Sequence, residues 1–143
     1  MSLTTTAPTV TAPRYAATRS ARSLRRTTVV AGLVAAVVTT AVAAAVHGAG
    51  VSFNVGGKMI PLVDFAQLTF VGAVIGGVLL AVLNRRSRSA CRRFLQMAVA
   101  LTALSCVPSV AWADAATTRL ALVALHVGAA VIAVPALARH AQT

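Results

Sequence analysis

Four long runs of apolar residues constrain the fold of this chain more than any other feature. They extend over Thr27–Val46, Leu62–Leu83, Phe94–Ala113 and Leu120–Ala138, and none of them contains a lysine, arginine or glutamate. Each is close to the ~20 residues that an α-helix needs to cross the hydrocarbon core of a bilayer. Membrane β-strands would instead alternate polar and apolar residues over shorter segments. We therefore predict an all-α membrane protein, a four-transmembrane-helix bundle with helices at about these positions.

The composition excludes an ordinary soluble domain. Hydrophobic residues make up 58% of the 143 residues and charged residues only 10%, whereas soluble domains carry about a quarter charged residues. A chain with so few polar side chains cannot cover a water-facing surface. Its two cysteines are too few to indicate a disulfide framework.

The basic residues predict how the bundle is oriented. Of the 13 lysines and arginines, only Lys58 and Arg119 lie outside the N-terminal tail, the segment between the second and third runs, and the C-terminal tail. Loops on the cytoplasmic side of a membrane are enriched in lysine and arginine, so we predict that both termini are cytoplasmic. Asp64 and Asp114, the two acidic residues, then lie toward the outer side.

Residues 1–26 are rich in Thr, Ala, Pro and Arg, and we predict a disordered cytoplasmic tail followed by a transmembrane domain over residues 27–140. A cleaved signal peptide is less favoured, because its apolar region would be only about 7–15 residues long. The clustered arginines are expected to contact anionic lipid headgroups. Nucleic acid is not expected as a partner, since no aromatic or folded reading module accompanies the charge. The predicted lipid contacts are Arg19, Arg22, Arg25, Arg26, Arg85, Arg86, Arg88, Arg92 and Arg93.

The first outer loop, His47–Pro61, carries a short hairpin signal. The stretch VSFNV alternates apolar and polar residues, and Gly56 and Gly57 follow it as a turn before KMI. This predicts two short β-strands, which either cover the outer mouth of the bundle or simply connect the first two helices.

Small residues in the second run predict close helix packing. Gly72 and Gly76 have GxxxG spacing, and Gly77 follows directly. Helices in lipid associate through close backbone approach and interhelical hydrogen bonds, because lipid is as apolar as the helices themselves. These glycines serve either the bundle itself or a dimer.

His126 is the one ionisable residue between Arg119 and Arg139. Counting ~1.5 Å per residue from the outer ends, polar residues of the other three helices lie at nearly the same depth. Polar groups in hydrocarbon need partners, so we predict that they face inward and bond one another. The predicted polar cluster contains His126, Asp64, Gln67, Ser105, Thr102, Thr39 and Thr40.

Two roles for this cluster stay open at this point. It either holds the helices together or handles a ligand, an ion or protons, as intramembrane ionisable residues often do. If His126 pairs with Asp64, a pH-responsive element at the outer face is expected.

An enzyme is not predicted. The sequence lacks a Gly-rich phosphate loop, GxSxG, HExxH and CxxC, and its two carboxylates are far apart. No metal or cofactor is expected. In particular, His47 at the outer edge and His140 on the cytoplasmic side are too far from His126 to hold a haem with it.

The segments IPLVDFAQLTFVGAVIGG, LTALSCVPS and LHVGAAVIAVPALAR, in this order, resemble a family of small actinobacterial four-span membrane proteins known only as a domain of unknown function. The resemblance covers roughly Thr27 to His140, and its motif positions are Pro61, Ser105, Pro108, His126 and Pro135. It implies four helices and a location in the bacterial inner membrane, and it supplies no activity.

The sequence thus favours a small non-enzymatic integral membrane protein of the bacterial inner membrane, acting as a structural or protein-interaction module. Its expected partners are anionic headgroups on the cytoplasmic side and either further copies of the chain or another membrane protein. The alternative is a small-solute or proton-handling component that uses the polar cluster around His126.

Overall fold

The computed structural model describes residues 14–141, and the side chains among them from residue 21 onward. This part of the chain forms four helices and one hairpin: α1 (Arg14–Gly48), β1 (Asn54–Val55), β2 (Lys58–Met59), α2 (Leu62–Arg86), α3 (Ala90–Trp112) and α4 (Ala116–Ala138). All four helices are long and apolar enough to cross a membrane. The predicted all-α fold with four spans is therefore confirmed, and so is the hairpin. The direction in which the bundle faces stays a prediction.

The start of α1 differs from the sequence-based expectation. A disordered tail was predicted through residue 26, but residues 14–26 are helical, while residues 1–13 lie outside the described residues. The segment has no proline after Pro13, and its alanines, its arginines and Leu24 all favour helix. Leu24 is also buried against the other helices, so tertiary packing adds to the local preference.

The two ends of the bundle are closed by separate apolar clusters. At the first end α2 finishes at Arg86, α3 begins at Ala90 and α4 finishes at Ala138; we call it the arginine end. The opposite end holds β1 and β2, and we call it the hairpin end. The cluster at the arginine end is formed by Leu24, Leu80, Phe94 and Leu137. The cluster at the hairpin end is formed by Ala43, Phe53, Phe65, Ala113, Leu122 and Leu125.

The hairpin contributes its own plug to that second cluster. Gly56 and Gly57 have positive φ angles of 58° and 76°, which a two-residue turn between antiparallel strands requires. Phe53, just before β1, is 1% exposed, and its ring centroid lies 5.0 Å from that of Phe65. Of the two expected roles for the loop, covering the mouth of the bundle is the one that this packing supports.

α1 packs closely against α2 through glycines. A Cβ added at Gly77 would lie 2.6 Å from Thr28 Cγ2, and one added at Gly32 would lie 3.1 Å from Ala73 Cβ. Gly76 faces a different neighbour, since its Cβ would lie 3.3 Å from Leu137 Cδ1 on α4. Gly72 does not pack against another helix of the bundle, because a Cβ there would have nothing within 4 Å, and a role in a dimer stays a prediction.

Within the bundle, α3 is the most peripheral helix. Its buried residues are Ala90, Phe94 and Ser109. The half-buried residues Ala98, Thr102 and Ser105 lie on the same face as these three, at helical spacing, whereas most of the remaining surface of α3 is exposed. Thr102 and Ser105, two members of the predicted polar cluster, therefore lie on the face that meets the bundle.

Candidate functional site

His126, the centre of the predicted polar cluster, bonds to its own helix. Its side chain is half-buried on α4, and Nδ1 lies 2.7 Å from the carbonyl oxygen of Leu122. A carbonyl oxygen can only accept a hydrogen bond, so Nδ1 carries the proton and donates it. In the neutral ring Nε2 then holds a lone pair, which can accept a proton or ligate a metal.

The polar residues of α3 are also satisfied locally. The Thr102 hydroxyl donates to the carbonyl oxygen of Ala98 at 2.8 Å, and the Ser105 hydroxyl donates to the carbonyl oxygen of Thr102 at 2.7 Å. Side chains that bond to the preceding turn need no partner on a neighbouring helix. Both hydroxyl protons are therefore engaged in hydrogen bonds within α3.

The two threonines of α1 differ from each other. Thr39 is buried and lines an apolar groove of about 140 Å³ between α1 and α4, together with residues such as Leu125 and Gly128. The Thr40 hydroxyl is buried and has no hydrogen-bond partner among the described residues. A buried hydroxyl without a partner costs free energy, about 1–3 kcal/mol.

The two α2 members of the predicted cluster do not reach His126. Gln67 is exposed on the outside of the bundle, and Asp64 is half-buried in the first turn of α2. Within residues 21–141 Asp64 forms no hydrogen bond or ion pair through its carboxylate. The expected His126–Asp64 pairing is thus not formed, and the pH-responsive element that depended on it loses its structural basis.

These contacts correct the predicted hydrogen-bonding of the cluster. Among the described residues, no hydrogen bond between helices joins any of its seven members. Three of them, Thr102, Ser105 and His126, instead donate a hydrogen bond to a backbone carbonyl of their own helix. Within this cluster, the lone pair of His126 Nε2 can still accept a proton or ligate a metal.

A polar cluster that the sequence analysis missed lies at the arginine end. His140 Nε2 is 2.8 Å from the Thr27 hydroxyl, and Nδ1 is 3.3 Å from the Ser23 hydroxyl. The Asn84 amide donates to the backbone carbonyl of His140 at 2.9 Å. These contacts join α1, α2 and the end of α4. Ser23 and Thr27 are four residues apart and therefore share a face of α1, but nothing in the sequence pointed that face toward His140.

A second set of contacts joins the loops at the hairpin end. Val55 pairs with Ala113 as an antiparallel bridge, and the Gly57 amide donates to Asp114 Oδ2 at 3.3 Å. The Thr118 hydroxyl, which is 1% exposed, donates to the carbonyl oxygen of Ser52 at 2.5 Å. The hairpin is therefore fixed to the α3–α4 connection as well as plugged into the bundle.

The basic residues of the arginine end are all exposed wherever their side chains are described, and none of them forms an ion pair within residues 21–141. Arg19, also predicted to contact lipid, lies in α1 outside the residues whose side chains are described. The exposed set is Arg22, Arg25, Arg26, Arg85, Arg86, Arg88, Arg92, Arg93 and Arg139.

Comparison with known proteins gives one match. The model of a family of unknown function (DUF6069) matches residues 19–143, a range that extends at both ends beyond the Thr27–His140 resemblance. No curated protein and no solved structure matches the chain.

Proposed function

Because this chain belongs to DUF6069, a family of unknown function, we propose its role from its own geometry: a non-enzymatic structural or protein-interaction module of the bacterial cell membrane. Its four apolar helices make it a small multi-pass membrane protein. The bacterial inner membrane and the cytoplasmic position of both termini are part of the proposal, and they are supported by the enrichment of basic residues at one end.

The observation that carries this proposal is the way in which the bundle is closed. Phe53 and its neighbours fill the hairpin end, and Leu24, Leu80, Phe94 and Leu137 fill the arginine end. Between them the hydroxyls of Thr102 and Ser105 bond within α3. Such an interior suits a rigid scaffold better than a path for solutes, which would need polar groups along a continuous route.

The proposed partners follow from the surface. The exposed arginines without ion pairs favour anionic headgroups on the cytoplasmic side, since each basic residue near such a surface contributes on the order of 1 kcal/mol. The exposed apolar faces of all four helices meet lipid, a second copy of the chain or another membrane protein.

A small-solute or proton-handling role is the second candidate, and one observation favours it. His126 donates its Nδ1 proton to Leu122, which leaves Nε2 with a lone pair in the outer half of the bundle. Intramembrane histidines with this arrangement serve as proton acceptors and metal ligands.

One experiment separates the two candidates. The tagged protein is extracted with its native lipids, purified and analysed by mass spectrometry, and the same protein is tested for pH-dependent proton or solute flux in liposomes. We expect a partner in fixed stoichiometry, either a second copy or one other protein, and no flux above empty liposomes. A flux that His126→Leu abolishes and His140→Leu retains would replace the module with the second candidate.

A further inference from the structure

The register of α1 places Arg25 and Arg26 at the depth of the buried cluster at the arginine end. Leu24 packs in the same buried cluster as Leu80 and Leu137, so these residues share one level of the structure. Arg25 and Arg26 follow Leu24 toward the hairpin end, at or below that level. By comparison, Arg85 follows Leu80 by five residues and lies ~7.5 Å nearer the end of its helix.

The register of α1 that produces this depth is fixed by several contacts. Leu24 is 8% exposed, and Thr27 bonds to His140. Thr28 lies directly against Gly77 of α2. α1 therefore cannot slide outward to lift its arginines without breaking contacts with both α2 and the end of α4.

Arg22 and Arg26 share a face of α1 that is exposed among the described residues. They are four residues apart, which places both side chains on one side of the helix. The same face continues toward the hairpin end with Val30, Leu33 and Val37, which are 53%, 53% and 69% exposed. This face is thus basic at one end and apolar along the rest of its length. It therefore complements an anionic phospholipid, which has a negatively charged headgroup at one end and apolar acyl chains beyond it.

The charge of this face is not balanced by the protein. Arg22 and Arg26 form no ion pair within the described residues, and both aspartates lie at the hairpin end. A guanidinium at the edge of the hydrocarbon region bends toward the headgroups and needs an anionic partner there. Its planar array of donors matches the oxygens of a phosphate group.

We propose that Arg22 and Arg26 bind the phosphate of one anionic phospholipid, whose acyl chains lie along Val30, Leu33 and Val37. Arg25, on the adjoining side of α1, adds charge next to the phosphate. The inference rests on the proposed contact between the arginine end and anionic headgroups, and it makes that contact specific. Arg86, the last residue of α2, and Arg88, in the α2–α3 connection, lie beyond the level of the buried cluster and meet the headgroup layer only as diffuse charge.

Native mass spectrometry of the purified protein in detergent tests this site. Phosphatidylglycerol and phosphatidylcholine with identical acyl chains are titrated against the wild type, Arg22→Gln/Arg26→Gln and the matched control Arg86→Gln/Arg88→Gln. Both double variants lose the same charge from exposed positions. We expect one phosphatidylglycerol bound at least about tenfold more tightly than phosphatidylcholine by the wild type and the control, and no such preference in Arg22→Gln/Arg26→Gln.

The other outcomes overturn the site in distinguishable ways. Equal loss in both double variants would reduce the contact to diffuse charge and leave the proposed headgroup partner standing. A wild type without preference for phosphatidylglycerol would remove both. Displacement of the lipid by inorganic phosphate alone, at equal concentration, would show that the acyl face contributes nothing. Melting curves confirm folding, and if the double variant does not fold, the single variant Arg26→Gln is expected to lose most of the preference.

Discussion

His126 and His140 differ in what they hold together. His126 donates to a carbonyl four residues earlier in its own helix, so its hydrogen bond survives any movement of α4 relative to its neighbours. His140 contacts two hydroxyls of α1, and its backbone carbonyl accepts from Asn84 of α2. At the scale of single residues, the imidazole that couples helices is therefore the one at the arginine end.

This difference predicts opposite results for the two substitutions. His126→Leu should change the free energy of unfolding by less than about 0.5 kcal/mol, because it removes a bond within one helix from a half-buried position. His140→Leu should lower it by about 1–2 kcal/mol, since interhelical hydrogen bonds in membrane proteins contribute around 0.6 kcal/mol each and up to about 1.7. Unfolding by denaturing detergent, followed by circular dichroism, measures both. A larger loss for His126→Leu than for His140→Leu would contradict this assignment.

The sequence could indicate the inward side of α3 but not the hydrogen-bond partners of its polar residues. Thr102 and Ser105 lie on the inward face as expected, whereas Gln67 of α2 is exposed. The hydroxyls of Thr102 and Ser105 can bond either to their own helix or to a neighbour at similar cost, and only the packed structure decides between the two. The cluster around His140 was missed because its contacts join residues 113 and 117 positions apart.

At the scale of elements, the rotation of α2 decides what its glycines do. Successive residues of a helix point about 100° apart, so Gly76 and Gly77 face different neighbours, α4 and α1 respectively. Gly72 points away from both. The sequence predicted that small residues would permit close packing. It could not distinguish Gly72, Gly76 and Gly77 from one another, because the rotation of α2 depends on which helices pack on either side of it.

Alanine substitutions at two of these glycines test the packing. Gly77→Ala should lower the free energy of unfolding by about 1–3 kcal/mol, because the new Cβ overlaps the Thr28 side chain and forces α1 away from α2. Gly72→Ala is the matched control: its Cβ meets open space, and alanine favours helix, so stability should stay constant or rise slightly. The same detergent unfolding assay applies. Equal losses at the two positions would show that α2 is rotated differently.

At the scale of the whole molecule, both ends of the bundle are closed by apolar clusters, but one end carries little charge and the other is basic. The hairpin end is held by the Val55–Ala113 bridge and the Phe53 plug, whereas the arginine end carries nearly all of the basic residues on exposed positions. The number of spans and the Gly56–Gly57 turn could be read from local sequence. The docking of the hairpin on Ala113 could not, because it joins residues far apart in the chain. The helical start of α1 at Arg14 was missed although its alanines and arginines favour helix, because the prolines and threonines before it favour disorder.

The proposed cytoplasmic position of the arginine end is tested directly by cysteine accessibility in intact bacterial cells. In a background with Cys91→Ser and Cys106→Ser, a single cysteine is introduced as Ser89→Cys, between α2 and α3, or as Thr117→Cys, in the first turn of α4; both positions are exposed. A membrane-impermeant maleimide should label Thr117→Cys in intact cells and Ser89→Cys only after permeabilisation. Labelling of Ser89→Cys in intact cells, with Thr117→Cys protected, would contradict the account.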